Sequence, residues 1–161
     1  MLNYELALQF ATKKHQGQFR VGGVPYITHP VAVAEYLKNK NFPIEYQIAG
    51  LFHDLLEDTD TTYDEIEKIT NTEIAKSVKL LTKESGYDMK QYIERIKDNE
   101  MARMVKLADR IHNLSEAHLA SKEFQCKYIK ETEEWFIDLA KGTVFEEDLN
   151  KVLQSLKKIQ N

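Results

Sequence analysis

Apolar residues recur along this chain at intervals of three and four, and they never alternate for long enough to make a strand, so the pattern predicts helix after helix. Leu6, Ala7, Phe10 and Ala11 form the stripe of a first helix. A glycine-bearing stretch from Gln16 to Tyr26 follows, in which Gly22-Gly23 and Pro25 argue for a turn or a short ribbon. His29-Pro30 is expected to open a second helix. Proline suits the first helical position, and the residue before it is pushed out of helical geometry, which makes His29 the last residue of the loop. Val31, Val33, Ala34 and Leu37 carry that helix to Asn39-Lys40-Asn41. Pro43 starts a third, predicted to run through Ile48, Leu51, Phe52, Leu55 and Leu56 and to stop at Thr59-Asp60-Thr61.

Downstream, Thr62 to Glu65 and Asp88 to Gln91 both read as capping boxes, each opening a helix. Ile74, Ala75, Val78, Leu81 and Thr82 mark the helix between them. Met101 to Leu114 is a strong helix with Met104, Leu107, Ile111 and Leu114 on one face and Asp109 and Asn113 stacked on a neighbouring stripe. Two amphipathic helices close the chain, one through Tyr128, Trp135, Phe136 and Leu139 to Gly142, the other carrying Leu149, Val152, Leu153, Leu156 and Ile159. The expected fold is all-α and compact. At 161 residues, with no repeats, low-complexity tracts or linkers, one domain over 1–161 is expected.

Chemistry enters where this pattern is most apolar. His53-Asp54, with Glu57 and Asp58 one turn later, lies among Ile48, Leu51, Phe52, Leu55 and Leu56, where ionisable side chains are costly unless paired, protonated or metal-bound. A His-Asp dipeptide arises by chance about 0.3 times in such a chain, so its surroundings have to give it meaning. For that helix alone, a solvent-facing stripe explains the pair equally well. His29 and Asp109 add the same chemistry from other segments. Two imidazoles and two carboxylates converging on one point would bind Mn, Fe, Zn or Mg and leave positions open for water and substrate, which points to metal-assisted hydrolysis.

The remaining composition narrows the substrate. A formal charge of -4 offers no global basic field for duplex nucleic acid, so an anionic small molecule met by a few local cations is expected. Met1-Leu2-Asn3-Tyr4-Glu5 lacks a basic leader pattern and no stretch approaches a membrane span, so a cytoplasmic setting is expected. The single cysteine, Cys126, reads as a packing or surface residue. His15 and His112 read as local hydrogen-bonding residues, and His118 as exposed. Lys106 and Arg110 flank Asp109 and either neutralise substrate phosphate or pair with Glu57 and Asp58. Lys13, Lys14, Lys83 and Lys90 read as solvated charges. Tyr128, Trp135 and Phe136 read as core or as an oligomer contact, and oligomerisation is left open.

Several separated blocks now combine. Ala11 to Gln18 (ATKKHQGQ), Arg20, Gly23 to Pro30 (GVPYITHP), His53 to Thr59 (HDLLEDT) and Val105 to Leu114 (VKLADRIHNL) resemble the HD-type hydrolase domain of RelA/SpoT-like alarmone enzymes. The resemblance runs from residue 1 to about 140 and includes Tyr128 to Thr132 (YIKET). It implies an all-helical, Mn(II)-binding domain of the small, stand-alone hydrolase type, without the synthetase and regulatory domains of the long members. His29, His53, Asp54 and Asp109 are then the metal ligands, and Glu57 and Asp58 the acidic pair that positions the nucleophilic water and handles its proton. Arg20 would stack on the purine and Asn113 contact the nucleoside, with Lys106 a candidate for the phosphates. The implied reaction removes pyrophosphate from the 3′ position of (p)ppGpp to give GDP or GTP. Val21, where a basic residue is frequent, and Glu116, where a small hydroxyl is frequent, depart from the pattern and put another nucleotide, such as the 2′-phosphate of NADPH, beside this substrate. A non-catalytic nucleotide sensor is the third reading, and the intact ligand set argues against it.

Overall fold

The structure, a computed structural model, describes residues 1–160. Eleven α-helices account for most of them: α1 Tyr4–Lys14, α2 Thr28–Asn39, α3 Ile44–Phe52, α4 Leu55–Asp58, α5 Tyr63–Ile69, α6 Thr72–Leu81, α7 Met89–Lys97, α8 Glu100–Glu116, α9 Lys122–Glu131, α10 Ile137–Ala140 and α11 Glu146–Gln160. The all-α expectation holds. Among the described residues the only β pairing is an isolated antiparallel bridge between Phe19 and Pro25. It closes the anticipated ribbon, turned by Gly22 and Gly23 at φ 103° and 93°, a left-handed region that only glycine enters without steric cost.

Polar side chains start these helices by accepting backbone N–H groups that no preceding turn can satisfy. Asn3, Asn71, Asp88, Asn99 and Ser121 each cap a helix this way. Thr62 and Glu65 form the full reciprocal capping box. At Asp88 the structure shows half of the expected box, the Asp88 carboxylate accepting from the Gln91 amide at 3.0 Å.

α3 lies at the centre, against α1, α2, α6 and α8, and α2 also packs on α8. Gly50 allows the closest approach: a Cβ there would meet Leu37 Cδ1 at 3.0 Å, Val33 Cγ1 at 3.2 Å and the Ala34 backbone nitrogen at 3.3 Å. The α2–α3–α8 packing brings together the elements that carry His29, His53 and Asp109.

Two expected boundaries move. α2 begins at Thr28, so His29 sits inside its first turn and Pro30 in the third helical position. Proline is harmless there, because the first four N–H groups of a helix have no intrahelical partner anyway. The third predicted helix is two: α3 ends at Phe52, His53 and Asp54 form a turn, and α4 starts at Leu55. His53 Nδ1 lies 2.6 Å from the Gly50 carbonyl, the group the Asp54 amide would use in a continuous helix. A side chain competing for a backbone acceptor breaks the helix and turns Asp54 toward the site.

His15 is buried against Tyr26, with Nδ1 2.8 Å from Gln18 Oε1 and Nε2 unpartnered. Burial holds its pKa below the ordinary value of 6.5. The unfolded chain therefore takes up a proton that the folded protein refuses, and His15 costs stability as pH falls through about 6.5. Denaturant unfolding at pH 7 and pH 5.5 should show a steeper loss in wild type than in His15→Leu, by up to about 1 kcal/mol. Parallel curves for the two proteins would rule this out.

Candidate metal centre

His29 from the first turn of α2, His53 and Asp54 from the break after α3, and Asp109 from the middle of α8 meet at one point. His29 Nε2 lies 2.7 Å from Asp109 Oδ1 and 3.8 Å from Asp54 Oδ2. His53 Nε2 lies 3.2 Å from Asp109 Oδ1 and 3.1 Å from Asp54 Oδ2. His29, His53 and Asp109 are buried, and Asp54 nearly so. Ligands at neighbouring coordination positions of an ion bound at 2.0–2.3 Å stand about 3 Å apart, which three of these separations match, and His29 and Asp54 at 3.8 Å stand farther apart.

Hydrogen-bond chemistry tests whether these residues fit a cation. The Gly50 carbonyl can only accept, so His53 Nδ1 carries its proton, and in the neutral ring Nε2 presents a lone pair. That lone pair faces two carboxylate oxygens, which are also lone-pair donors. Only a proton or a cation satisfies such a cluster. The electrostatics agree: burial opposes a charge on His53, yet Asp54 and Asp109 carry its pKa well above the usual imidazole range. Burial likewise opposes ionisation of Asp109, but Lys106, His29 and His53 hold it well below the ordinary carboxylate value. The donor set fits a divalent metal.

Surrounding groups fix the donors. Tyr26 donates to Asp54 Oδ2 at 2.5 Å. Asn113 Nδ2 donates to Asp109 Oδ1 at 3.1 Å and Lys106 Nζ to Asp109 Oδ2 at 3.0 Å. The pairing anticipated for Lys106 with Glu57 and Asp58 is therefore made with Asp109, its neighbour one turn along α8. Arg110, also expected near the acidic pair, faces the opposite way. Its guanidinium is clamped between the Tyr128 and Phe136 rings at 4.0 and 3.8 Å and bonded to Glu131 at 2.6 Å.

Asp54, Glu57 and Asp58 form an acidic group whose oxygens lie within 4.8 Å of one another. Glu57 Oε1 accepts from the Lys83 backbone amide at 2.7 Å. Lys83, read as solvated from the sequence, instead lies over the Tyr87 and Tyr92 rings, and burial followed by the Lys106 charge lowers its pKa. Burial first, then the charges of Asp54 and Glu57, push the Asp58 carboxyl up to about 6.

Beside the donors opens a cleft of about 300 Å³ lined by Arg20, Val21, Tyr26, Asn113, Glu116, Phe124 and Tyr128 among others. Arg20 Nη2 donates to Asn113 Oδ1 at 3.1 Å and to Glu116 Oε1 at 3.2 Å, and its guanidinium lies over the Tyr26 ring. Arg20 and Asn113, from segments 93 residues apart, thus meet at the cleft. Tyr128 packs against the core as read and, with Phe124 stacked 5.2 Å away, also forms an aromatic wall of the cleft. The i, i+4 spacing of those two rings was the available signal. Nothing in the sequence singled out Tyr26, whose role depends on a turn bringing its hydroxyl to Asp54.

An all-helical bundle whose centre joins a His-Asp break to a distant histidine and aspartate is the architecture of an HD domain. The chain belongs to that family: the HD domain model matches residues 7–143. It is 37% identical over 142 residues to the guanosine-3′,5′-bis(diphosphate) 3′-pyrophosphohydrolase of Aquifex aeolicus, covering 83% of this chain and 20% of that protein. To the zebrafish (Danio rerio) guanosine-3′,5′-bis(diphosphate) 3′-pyrophosphohydrolase MESH1 it is 31% identical over 145 residues, covering 84% of this chain and 81% of the other. The chain thus spans about a fifth of the long bacterial relatives it matches and most of the zebrafish one. A solved structure described as a metazoan ortholog of SpoT that hydrolyzes ppGpp shares the fold, with a TM-score of 0.83 over 94% of both chains at 24% identity. Among the described residues no helix is long and apolar enough to cross a membrane.

Proposed function

We propose that this protein is a Mn(II)-dependent hydrolase of guanosine 3′,5′-bis(diphosphate) and its 5′-triphosphate analogue, releasing pyrophosphate from the 3′ position to leave GDP or GTP. The observation that carries the reading is the four-donor cluster whose hydrogen-bond partners Tyr26 and Asn113 line a neighbouring cleft, in which Arg20 and Asn113 meet. The names of the relatives support this choice of substrate. His29, His53, Asp54 and Asp109 would hold the metal, which when bound acidifies water and neutralises phosphoryl charge. Asp58, with its carboxyl pushed up to about 6, is matched to take a proton from the attacking water and pass it on near neutral pH. Glu57, held by the Lys83 amide, orients the water and by its charge keeps Asp58 basic. Arg20 offers a planar cation for stacking on the purine and Asn113 an amide for the nucleoside. Lys106 holds Asp109 and leaves its remaining donors for a phosphate oxygen. Such a nucleotide substrate suits a cytoplasmic setting.

Product analysis after incubating the Mn-loaded protein with ppGpp, pppGpp, NADPH and ordinary nucleotides tests the reading. Metal-dependent pyrophosphate release from the first two is expected. A second reading rests on Glu116, whose carboxylate lies against Arg20 inside the cleft and disfavours a highly anionic ligand there. Background rates on ppGpp beside strong phosphate release from NADPH would establish that reading in its place. Arg20→Ala should raise KM about 5- to 150-fold, equivalent to about 1 to 3 kcal/mol of lost stacking, with kcat nearly unchanged. Unaltered KM would take Arg20 out of the substrate site.

A further inference from the structure

A single file of side chains connects the metal donors to the cleft. His29 Nδ1 lies 2.7 Å from His112 Nδ1, with ring centroids 5.0 Å apart and planes inclined by 23°. The bond length plus the two ring radii fill that separation, so the rings meet edge to edge, each along the in-plane direction of its nitrogen. His112 Nε2 in turn lies 2.9 Å from Glu116 Oε1, one turn further along α8. The same oxygen accepts from Arg20 Nη2 at 3.2 Å. His112 and Glu116 keep only 13% and 28% of their side-chain surface exposed, so water does not readily replace these partners.

Donor and acceptor rules fix the direction of this chain. A carboxylate offers only lone pairs, so the hydrogen between His112 and Glu116 belongs to His112 Nε2. A neutral imidazole has one N–H, and His112 Nδ1 is then an acceptor. The group facing it must donate, which places the hydrogen of His29 on Nδ1. His29 Nε2 is left with a free lone pair, and it is the atom that points at Asp54 and Asp109. Reversing the chain would set the His112 Nε2 lone pair against a carboxylate oxygen at 2.9 Å.

We propose that Glu116 is a positioning residue for the metal centre: through His112 it selects the tautomer of His29 that can ligate a metal. The inference rests on the reading of His29 as a ligand. Partners that orient a ligand histidine from outside are typically worth about 10- to 100-fold in metal affinity. Arg20 holds the Glu116 carboxylate in place, so one acidic group is shared between the cleft and the metal donors. A residue without an acceptor at 116 leaves His112 free to take either tautomer, and His29 with it.

The test is Mn(II) affinity by calorimetric titration of wild type, Glu116→Ala, Glu116→Gln and His112→Phe, together with nitrogen-15 NMR of the histidine rings in Zn(II)-loaded wild type. Glu116→Ala and His112→Phe should weaken Mn(II) binding about 10- to 100-fold. Glu116→Gln, whose amide oxygen still accepts, should stay within about threefold of wild type. The NMR should show His112 protonated at Nε2 and His29 at Nδ1, a readout that needs no variant to fold. Wild-type affinity in Glu116→Ala, or His112 protonated at Nδ1, overturns the proposal while leaving the metal centre intact. A wild type that takes up neither Mn(II) nor Zn(II) overturns the metal reading itself, and the proposal with it.

Discussion

Asp58→Asn should lower kcat by about two to four orders of magnitude, the range for loss of a group that handles the transferred proton, while Mn(II) affinity stays within a few-fold of wild type. Asp58 lies outside the four donors, one turn beyond Asp54, and the asparagine has its shape without its basicity. The pH profile sharpens this expectation. Burial and the neighbouring carboxylates raise the Asp58 pKa to about 6, and only the ionised form accepts a proton. kcat should therefore fall as pH drops through about 6, or lower where the positive charge of a bound cation stabilises the carboxylate, and the residual activity of the variant should lack that limb. Because the folded protein disfavours this ionised carboxylate, its removal should leave stability at pH 7 unchanged or slightly higher. Full activity in Asp58→Asn would take the residue out of the mechanism.

Asp109→Ala should also lose turnover but differ from Asp58→Asn in metal content and stability. It removes the oxygen that lies 2.7 Å from His29 Nε2 and 3.2 Å from His53 Nε2, so both metal content and turnover should fall to background. It also strips Lys106 of its partner in a site where that side chain keeps 12% exposure, and an unpaired buried charge costs about 3 kcal/mol. Elemental analysis, turnover and denaturant unfolding should all register the change. A variant that retains its metal would place the ligand set elsewhere.

Much of this was legible in the sequence because helix stripes and capping residues act locally. The long helix carrying Asp109 could be read from Met104, Leu107, Ile111 and Leu114, all of which are buried, and Asp109 and Asn113, read as sharing a stripe, are hydrogen-bonded to each other. The break at His53 could not be read that way. It arises from a side chain competing with its own backbone for the Gly50 carbonyl, inside a run whose apolar spacing is that of an unbroken helix. The partners of Arg110 and Lys83 were equally hidden, since each is chosen by how one segment packs against another, whereas Lys106 pairs along its own helix at a spacing the sequence does show. Tyr128 was half legible for a related reason: it meets the core as read, but an aromatic on an amphipathic helix looks the same in sequence whether or not it also walls a cleft.

Arg110 follows Asp109 directly in sequence and points away from it, into Tyr128, Phe136, Thr132 and Glu131. Thr132 and Phe136 bound the π-helical turn between α9 and α10, where the Thr132 hydroxyl takes the Tyr128 carbonyl four residues back. The guanidinium acts as a key in that lock, and a helix keyed on one side cannot roll about its axis. The azimuth of Asp109 is therefore held from two sides, by α2, α3, α6 and α7 on one and by the last third of the chain on the other, although all four donors lie before residue 110. A fragment ending at residue 120 would carry every donor and still lack half of what aims Asp109.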